Sequence, residues 1–324
     1  MRQRYWPGIG AAMGVFILIL DGKTAIIGGQ TGIQLCLQTV IPSLFPFIFL
    51  SVLLTSSFLG TPIPLLRPVA RFCKVPMGAE SIFISSFLGG YPVGAQTIAE
   101  AYRSGFLSKS DAERMLAFCN NAGPSFLFGM VSGVFSKRWV PWCIWGIHIT
   151  SALLVSRLMP SKSTHLRHFP KRNQKTISQA LTDSLRIMAS ICGWVILFRI
   201  IITFLQRWCL WLLPVDLQIT LTGVLELSNG CCELPKIVNP QIRFLLCSVM
   251  LAFGGVCVTM QTVSVTVGLS LHCYFFGKLM QTFFSILFTL VIIKQSVLPV
   301  LPVILLLVFA NIKNKDSIPK AVGV

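Results

Sequence analysis

From Thr24 to Leu66 the chain runs for 43 residues without an Asp, Glu, Lys or Arg. That stretch limits the fold more than any other feature, because about 20 apolar residues let a helix cross a bilayer. Trp6 to Leu20, Val140 to Ser156 and Leu279 to Ile293 are uncharged as well. A charge at the centre of a membrane helix costs about 2.5–3.5 kcal/mol. The whole chain carries 11% charged residues, against about 25% in soluble domains. The expected fold class is therefore all-α: a polytopic membrane protein of a bacterial-type inner membrane. Roughly seven to ten segments should enter or cross the bilayer, broken helices included.

The formal net charge of +17 does not point to nucleic acid. The basic residues are scattered between apolar segments, as expected where basic loops orient a chain with its positive side in the cytoplasm. The partners expected are a lipid bilayer and a small-molecule substrate, with a homo-oligomer compatible and no nucleic acid. None of the eleven cysteines forms a CxxC pair, and most lie in apolar runs, where a thiol packs as a small hydrophobe. The four histidines lie far from any second ligand, so neither a metal site nor a cofactor is expected. No nucleophile–base set appears, and the chain reads as a non-enzyme. Arg2 and Arg4 before an apolar run resemble a signal peptide, but without a clean cleavage site a retained first helix is expected.

Proline and glycine punctuate the apolar segments. A first span is expected over residues 8–26 and a second over residues 33–59, kinked or interrupted at Pro42 and Pro46. Residues 80–95 are too short for a span and hold Gly89-Gly90 and Pro92, which predicts a re-entrant or discontinuous helix. Ser110 with Glu113 is positioned as a capping box for a helix that runs to the break at Asn120, Asn121 and Gly123-Pro124. Glu80, Glu100 and Glu113 read as boundary or surface charges. The loop from Arg157 to Lys175 has six basic and no acidic residues, which marks it as cytoplasmic. It divides the chain into a first transmembrane half (1–156), a basic linker (157–178) and a second half (179–324), whose last span is expected over residues 280–309.

The halves share a short pattern. Gly89-Gly90-x-x-Val93-x-x-Gln96 matches Gly254-Gly255-x-x-Val258-x-x-Gln261, each preceded by a phenylalanine. Glycine-interrupted segments at corresponding places in two halves point to a transporter's binding site, because a broken helix frees backbone groups that lipid cannot satisfy. The expected architecture is two repeated halves with discontinuous or re-entrant helices.

GGYPVGAQTIAE (89–100), AERMLAFCNNAGPSFLFG (112–129) and the FGG-x-x-V-x-x-Q stretch (253–261) resemble the sporulation integral membrane proteins of the YlbJ type. Those belong to the nucleoside-recognition or Gate-domain membrane proteins. The resemblance covers about residues 30–290. It departs in the second half, where Glu226-Leu227-Ser228-Asn229-Gly230 stands for E-x-T-x-G and Val256-Cys257 replaces Leu-Ser. It implies a multi-pass cell-membrane protein of a sporulating Firmicute, made in the mother cell and located in the outer forespore membrane. It also implies dipicolinate export toward the spore. A nucleoside transporter or a structural protein of spore formation are the alternatives.

The residues expected at a substrate site are Gly89, Gly90, Tyr91, Pro92, Gln96, Asn120, Asn121, Gly254, Gly255 and Gln261. The glycines let a solute approach the backbone, and the amides can both donate and accept. Glu226, the one charge between Leu217 and Cys232, is the expected coupling residue, since an intramembrane carboxylate is functional by default. An anionic solute then requires Glu226 to be protonated or cation-paired during passage.

Overall fold

The computed structural model describes residues 6–160 and 175–300. The core of the basic linker (161–174) and the end of the expected last span (301–309) lie outside the described residues. Among the described residues the chain is helical throughout, with no strand.

Apolar side chains drive the long helices outward as well as inward. α1 (Trp6–Leu20) leads through a kink at Asp21 into α2 (Gly22–Leu35). A π-helical turn (Cys36–Val40) joins α2 to α3 (Ile41–Phe58). The expected interruption at Pro42 and Pro46 does not occur. The π-turn, closed by Ile41 N–H donating to Cys36 O, takes up the proline just beyond it, and the helix continues. The run Gly22–Phe58 has 37 residues, about 55 Å at ~1.5 Å per residue. Ile27, Ile33, Leu37, Leu50 and Leu54 are exposed along it. A continuous apolar face of this size belongs in lipid.

Short segments follow: α4 (Arg67–Phe72), α5 (Ser81–Ile84) with a π-turn (Ser85–Gly89), α6 (Val93–Arg103), α7 (Lys109–Leu116) and α8 (Pro124–Gly129). α9 (Val140–Leu158) closes the first half. The second half begins with α10 (Ile177–Trp208) and continues through α11 (Val215–Leu225), α12 (Leu227–Glu233), α13 (Pro240–Phe253) and α14 (Gly255–Val265) to α15 (His272–Lys294). Among the described residues, four runs are long and apolar enough to cross a membrane: 22–58, 177–208, 240–265 and 272–294. The chain is a multi-pass membrane protein.

Residues 22–158 run from a long helix through short helices parted by two breaks, with α4 ahead of them, to α9, and residues 177–294 run from α10 through two interrupted helices to α15. The first-half interruptions lie at residues 90–92 and 117–123, the second-half ones at Glu226 and Gly254. The glycine-pair motif matches the break at Gly90 with the one at Gly254. Element order instead sets Gly90 beside Glu226, and residues 117–123 beside Gly254.

α2 lies directly against α10. A Cβ on Gly28 would sit 2.8 Å from Ile200 Cα, and one on Gly32 3.0 Å from Ile196 Cα. Small residues four apart allow this approach where no hydrophobic effect pulls helices together. Exposed Trp139 and Trp142 at the start of α9, and Trp208 and Trp211 at the end of α10, have the placement of interfacial aromatics.

Two local expectations are corrected. The cap of α7 is Ser108, which accepts from Asp111 N–H at 3.1 Å, and not Ser110 with Glu113. The helix starts earlier because Ser108 has the extended backbone a cap needs, and Glu113 instead accepts from Ser270 N–H at 2.7 Å. Glu80 is fully buried rather than on the surface. Arg67 donates to it at 2.8 Å and Gly78 N–H at 2.7 Å, which balances the carboxylate. Lys175 ends the linker between Asp183 (2.9 Å) and Glu100 (3.4 Å). Burial pulls its ammonium pKa down, but the two carboxylates outweigh it and the net shift is upward.

Candidate functional site

The four helix breaks meet. A Cβ on Gly123 would lie 3.1 Å from Gly90 Cα, so the two first-half breaks touch backbone to backbone. The Tyr91 ring lies where a Cβ on Gly254 would project, 3.3 Å away, which joins the first break to the last. The backbone at Gly255 adjoins Gly223 O, Val224 O and Leu227 N, which joins the last break to the one at Glu226. Gly90 (φ +77°) and Gly254 (φ +83°) hold the left-handed backbone region that glycine enters without strain.

A cavity of about 40 Å³ opens at this junction, lined by Gly90, Tyr91, Ala122, Gly123, Glu226 and Gln261 and closed by α3 and α10 at Leu44 and Val195. A buried water needs about 10–15 Å³ by this measure, so the cavity holds a few waters at most.

Glu226 is buried and caps α12. Its carboxylate accepts from Ser228 N–H (3.0 Å), Asn229 N–H (2.7 Å) and the Asn229 side-chain amide (2.7 Å). The sequence places a carboxylate here because an extended N-cap residue leaves the next N–H groups unsatisfied. The helix end that a solute anion could have used is therefore occupied by the protein's own carboxylate.

Behind Tyr91 lies a group that sequence reasoning missed. Lys278 of α15 is buried, and its ammonium donates to Asn120 O (2.6 Å), Gln281 Oε1 (2.9 Å) and Tyr91 OH (2.9 Å). Its Nζ also stands 4.8 Å from the centre of the Tyr91 ring. Tyr91 OH in turn donates to Leu251 O at 3.1 Å. Gln281 donates to Asn121 Oδ1 at 2.9 Å, and Ala122 N–H donates to His148 Nε2 at 3.0 Å, which satisfies backbone freed by the break. The hydrogen-bond partners of Lys278 among the described residues are neutral. The uncharged run from Leu279 to Ile293 hid it: Lys278 borders that run, and only the start of α15 at His272 sets it inside the helix.

The expected substrate-site and coupling residues divide four ways. Gly90, Tyr91, Gln261 and Glu226 line the cavity. Gly89, Gly254 and Gly255 pack the breaks together, and Pro92 (cis after Tyr91) precedes α6. Asn120 and Asn121 face the polar network: Asn120 donates to Thr262 Oγ1 at 2.9 Å, and Asn121 donates to Phe118 O at 2.7 Å and Ser86 Oγ at 3.1 Å. Gln96 points away and donates to Glu100 at 3.0 Å. His148, Gln281 and Thr262 carry no sequence signal, since each is a lone polar residue in an apolar helix.

Compared with known proteins, the chain is 25% identical over 315 residues to the sporulation integral membrane protein YlbJ of Bacillus subtilis (strain 168), covering 82% of this chain and 76% of that protein. This chain is similar to YlbJ over most of its length. The resemblance first carried by residues 89–129 thus extends over most of the sequence. No protein-family model and no solved structure matches the chain.

Proposed function

We propose that this chain is a transporter of a small carboxylate solute in the membranes of a sporulating cell, with the junction of the four breaks as its solute site. The convergence of those breaks on one cavity, apolar for the most part but with Glu226 and Gln261 in its walls, carries this reading. Irregular backbone at membrane depth is tolerated where it is buried in protein or lines a cavity, and interrupted helices at the repeat interface form the sites of many transporters.

The preference for an anion rests on Lys278. With the Glu226 carboxylate of the same cavity protonated, the Lys278 ammonium and its neutral partners leave net positive charge behind Tyr91, one wall of the cavity. Such a charge, desolvated once, favours a carboxylate placed next to it. Dipicolinate, with two carboxylates on one ring, suits this charge better than a neutral nucleoside. At about 40 Å³ the cavity is closed around a few waters, so transport requires the breaks to separate. Gly90 and Gly254, at the contact with Tyr91, are the natural pivots.

The test is uptake into proteoliposomes holding the purified full chain, with dipicolinate and uridine compared. Saturable dipicolinate uptake that uridine does not inhibit is expected. Uridine uptake alone would move the reading to nucleosides, and uptake of neither would leave a structural role in spore formation.

A further inference from the structure

A second, larger cleft lies on the other side of α12. It encloses about 230 Å³ between α2, α10 and α12, and Arg199, Asn229, Cys232, Glu233 and Lys236 line it. Arg199 projects from an apolar stretch of α10, and such a residue needs a reason to be there. Its guanidinium donates to Asn229 Oδ1 at 3.1 Å and stands 3.9 Å from Glu233, while its buried Nε has no partner among the described residues. Glu233 is engaged more closely by Lys236, at 2.6 Å. Two cations thus share one carboxylate, and the cleft carries an excess positive charge that its own side chains leave uncompensated.

Asn229 connects this cleft to the central cavity. Its side-chain oxygen accepts from Arg199 while its side-chain nitrogen donates to Glu226. An anion drawing Arg199 toward the cleft would release the Asn229 amide that helps hold the Glu226 carboxylate. We propose that this cleft is a vestibule binding a small carboxylate through Arg199 and Lys236, and that Asn229 reports its occupancy to Glu226. The purpose of such a vestibule rests on the transporter reading, but the binding itself does not.

Cys232 lines the cleft and is exposed, while its neighbour Cys231 is buried. It serves as the probe in the detergent-solubilised full chain. Its modification by the anionic 2-sulfonatoethyl methanethiosulfonate is compared with that by the cationic 2-(trimethylammonium)ethyl reagent. Each rate is normalised to a free thiol, and adducts are located by fragment-ion mass spectrometry. The anionic reagent should react about five- to tenfold faster at low salt, and the preference should fade as salt screens it. Arg199→Gln and Lys236→Gln should each cut that ratio about threefold. Dipicolinate should protect Cys232, and its neutral diamide should not.

A ratio at or below one, or equal protection by acid and diamide, overturns the proposal. If Arg199→Gln fails to fold, Lys236→Gln carries the test, because that side chain is 63% exposed. Labelling as expected with no uptake in proteoliposomes would sink the transporter reading and leave the vestibule standing.

Discussion

Lys278 and Glu226 are the two buried charges flanking the junction, and the fold satisfies both in the same way. Among the described residues each makes three hydrogen bonds to neutral groups and none to the other. They differ in backbone setting. Lys278 sits in the unbroken α15 and reaches across to broken segments, whereas Glu226 sits at a break and caps the half-helix that follows it. The comparison teaches that the breaks do not leave loose backbone for a solute to take up. At Glu226 the freed N–H groups are consumed locally, while in the first-half breaks the Ala122 N–H donates to His148 of α9 and the Asn120 carbonyl accepts from Lys278 of α15. A charge satisfied from a distance is exposed to changes in helix packing. A charge satisfied by its own cap senses distant packing only through its cap partners, here through the contact of Asn229 with Arg199.

Removing Lys278 should have the largest effect. Lys278→Met deletes the positive charge beside the cavity and leaves Asn120 O without its donor. A hydrogen bond to a charged group contributes about 1.5–3 kcal/mol, so dipicolinate uptake should fall about ten- to a hundredfold. Proteoliposome uptake, with the protein's thermal transition as a folding control, measures this. Wild-type rates in a folded Lys278→Met protein would break the comparison, because the cation would then be structural only.

Glu226→Gln tests the other side. The glutamine oxygen can still accept one backbone N–H, but its amide nitrogen faces donors, at a cost of about 1–3 kcal/mol in stability. The chain should fold, with a lowered thermal midpoint, and still bind dipicolinate. Uptake should stop responding to an imposed proton gradient. If uptake continues to follow the gradient, Glu226 is only a cap and coupling lies elsewhere.

Tyr91→Phe removes the hydroxyl shared by Lys278 and Leu251 O while keeping the ring against Gly254. One neutral hydrogen bond contributes about 0.5–1.5 kcal/mol, so a two- to tenfold rise in the half-saturating dipicolinate concentration is expected. An unchanged value would separate Lys278 from the cavity. Gln96→Ala should have the smallest effect, within about twofold of wild type, as for surface substitutions generally. Its amide is held by Glu100 and faces away from the cavity. A large loss there would mean that the cavity described is not the solute site.

The pattern of uncharged runs is enough to assign a helical, multi-pass membrane protein, since bilayer thickness and the cost of charge leave little choice. The breaks at residues 90–92, 119–123 and 254 are also legible, because glycine and proline impose local backbone constraints that read directly from the chain. Glu226 stands out for the same reason: a lone carboxylate in an apolar run is visible without coordinates. Tertiary structure decided what these features meet. It turned Gln96 outward although it matches Gln261 in the repeat, and it drew Asn120 and Asn121 into a network with Thr262, Gln281 and Ser86. It made Lys278, at the margin of an uncharged stretch, the central cation. Sequence records the local cost of a residue along one helix, whereas a buried charge is defined by partners brought from residues 91, 120 and 281. Gln281 is one turn away on α15 itself, but only the packing of α15 against the broken segments puts Tyr91 and Asn120 within hydrogen-bonding distance of the same ammonium group.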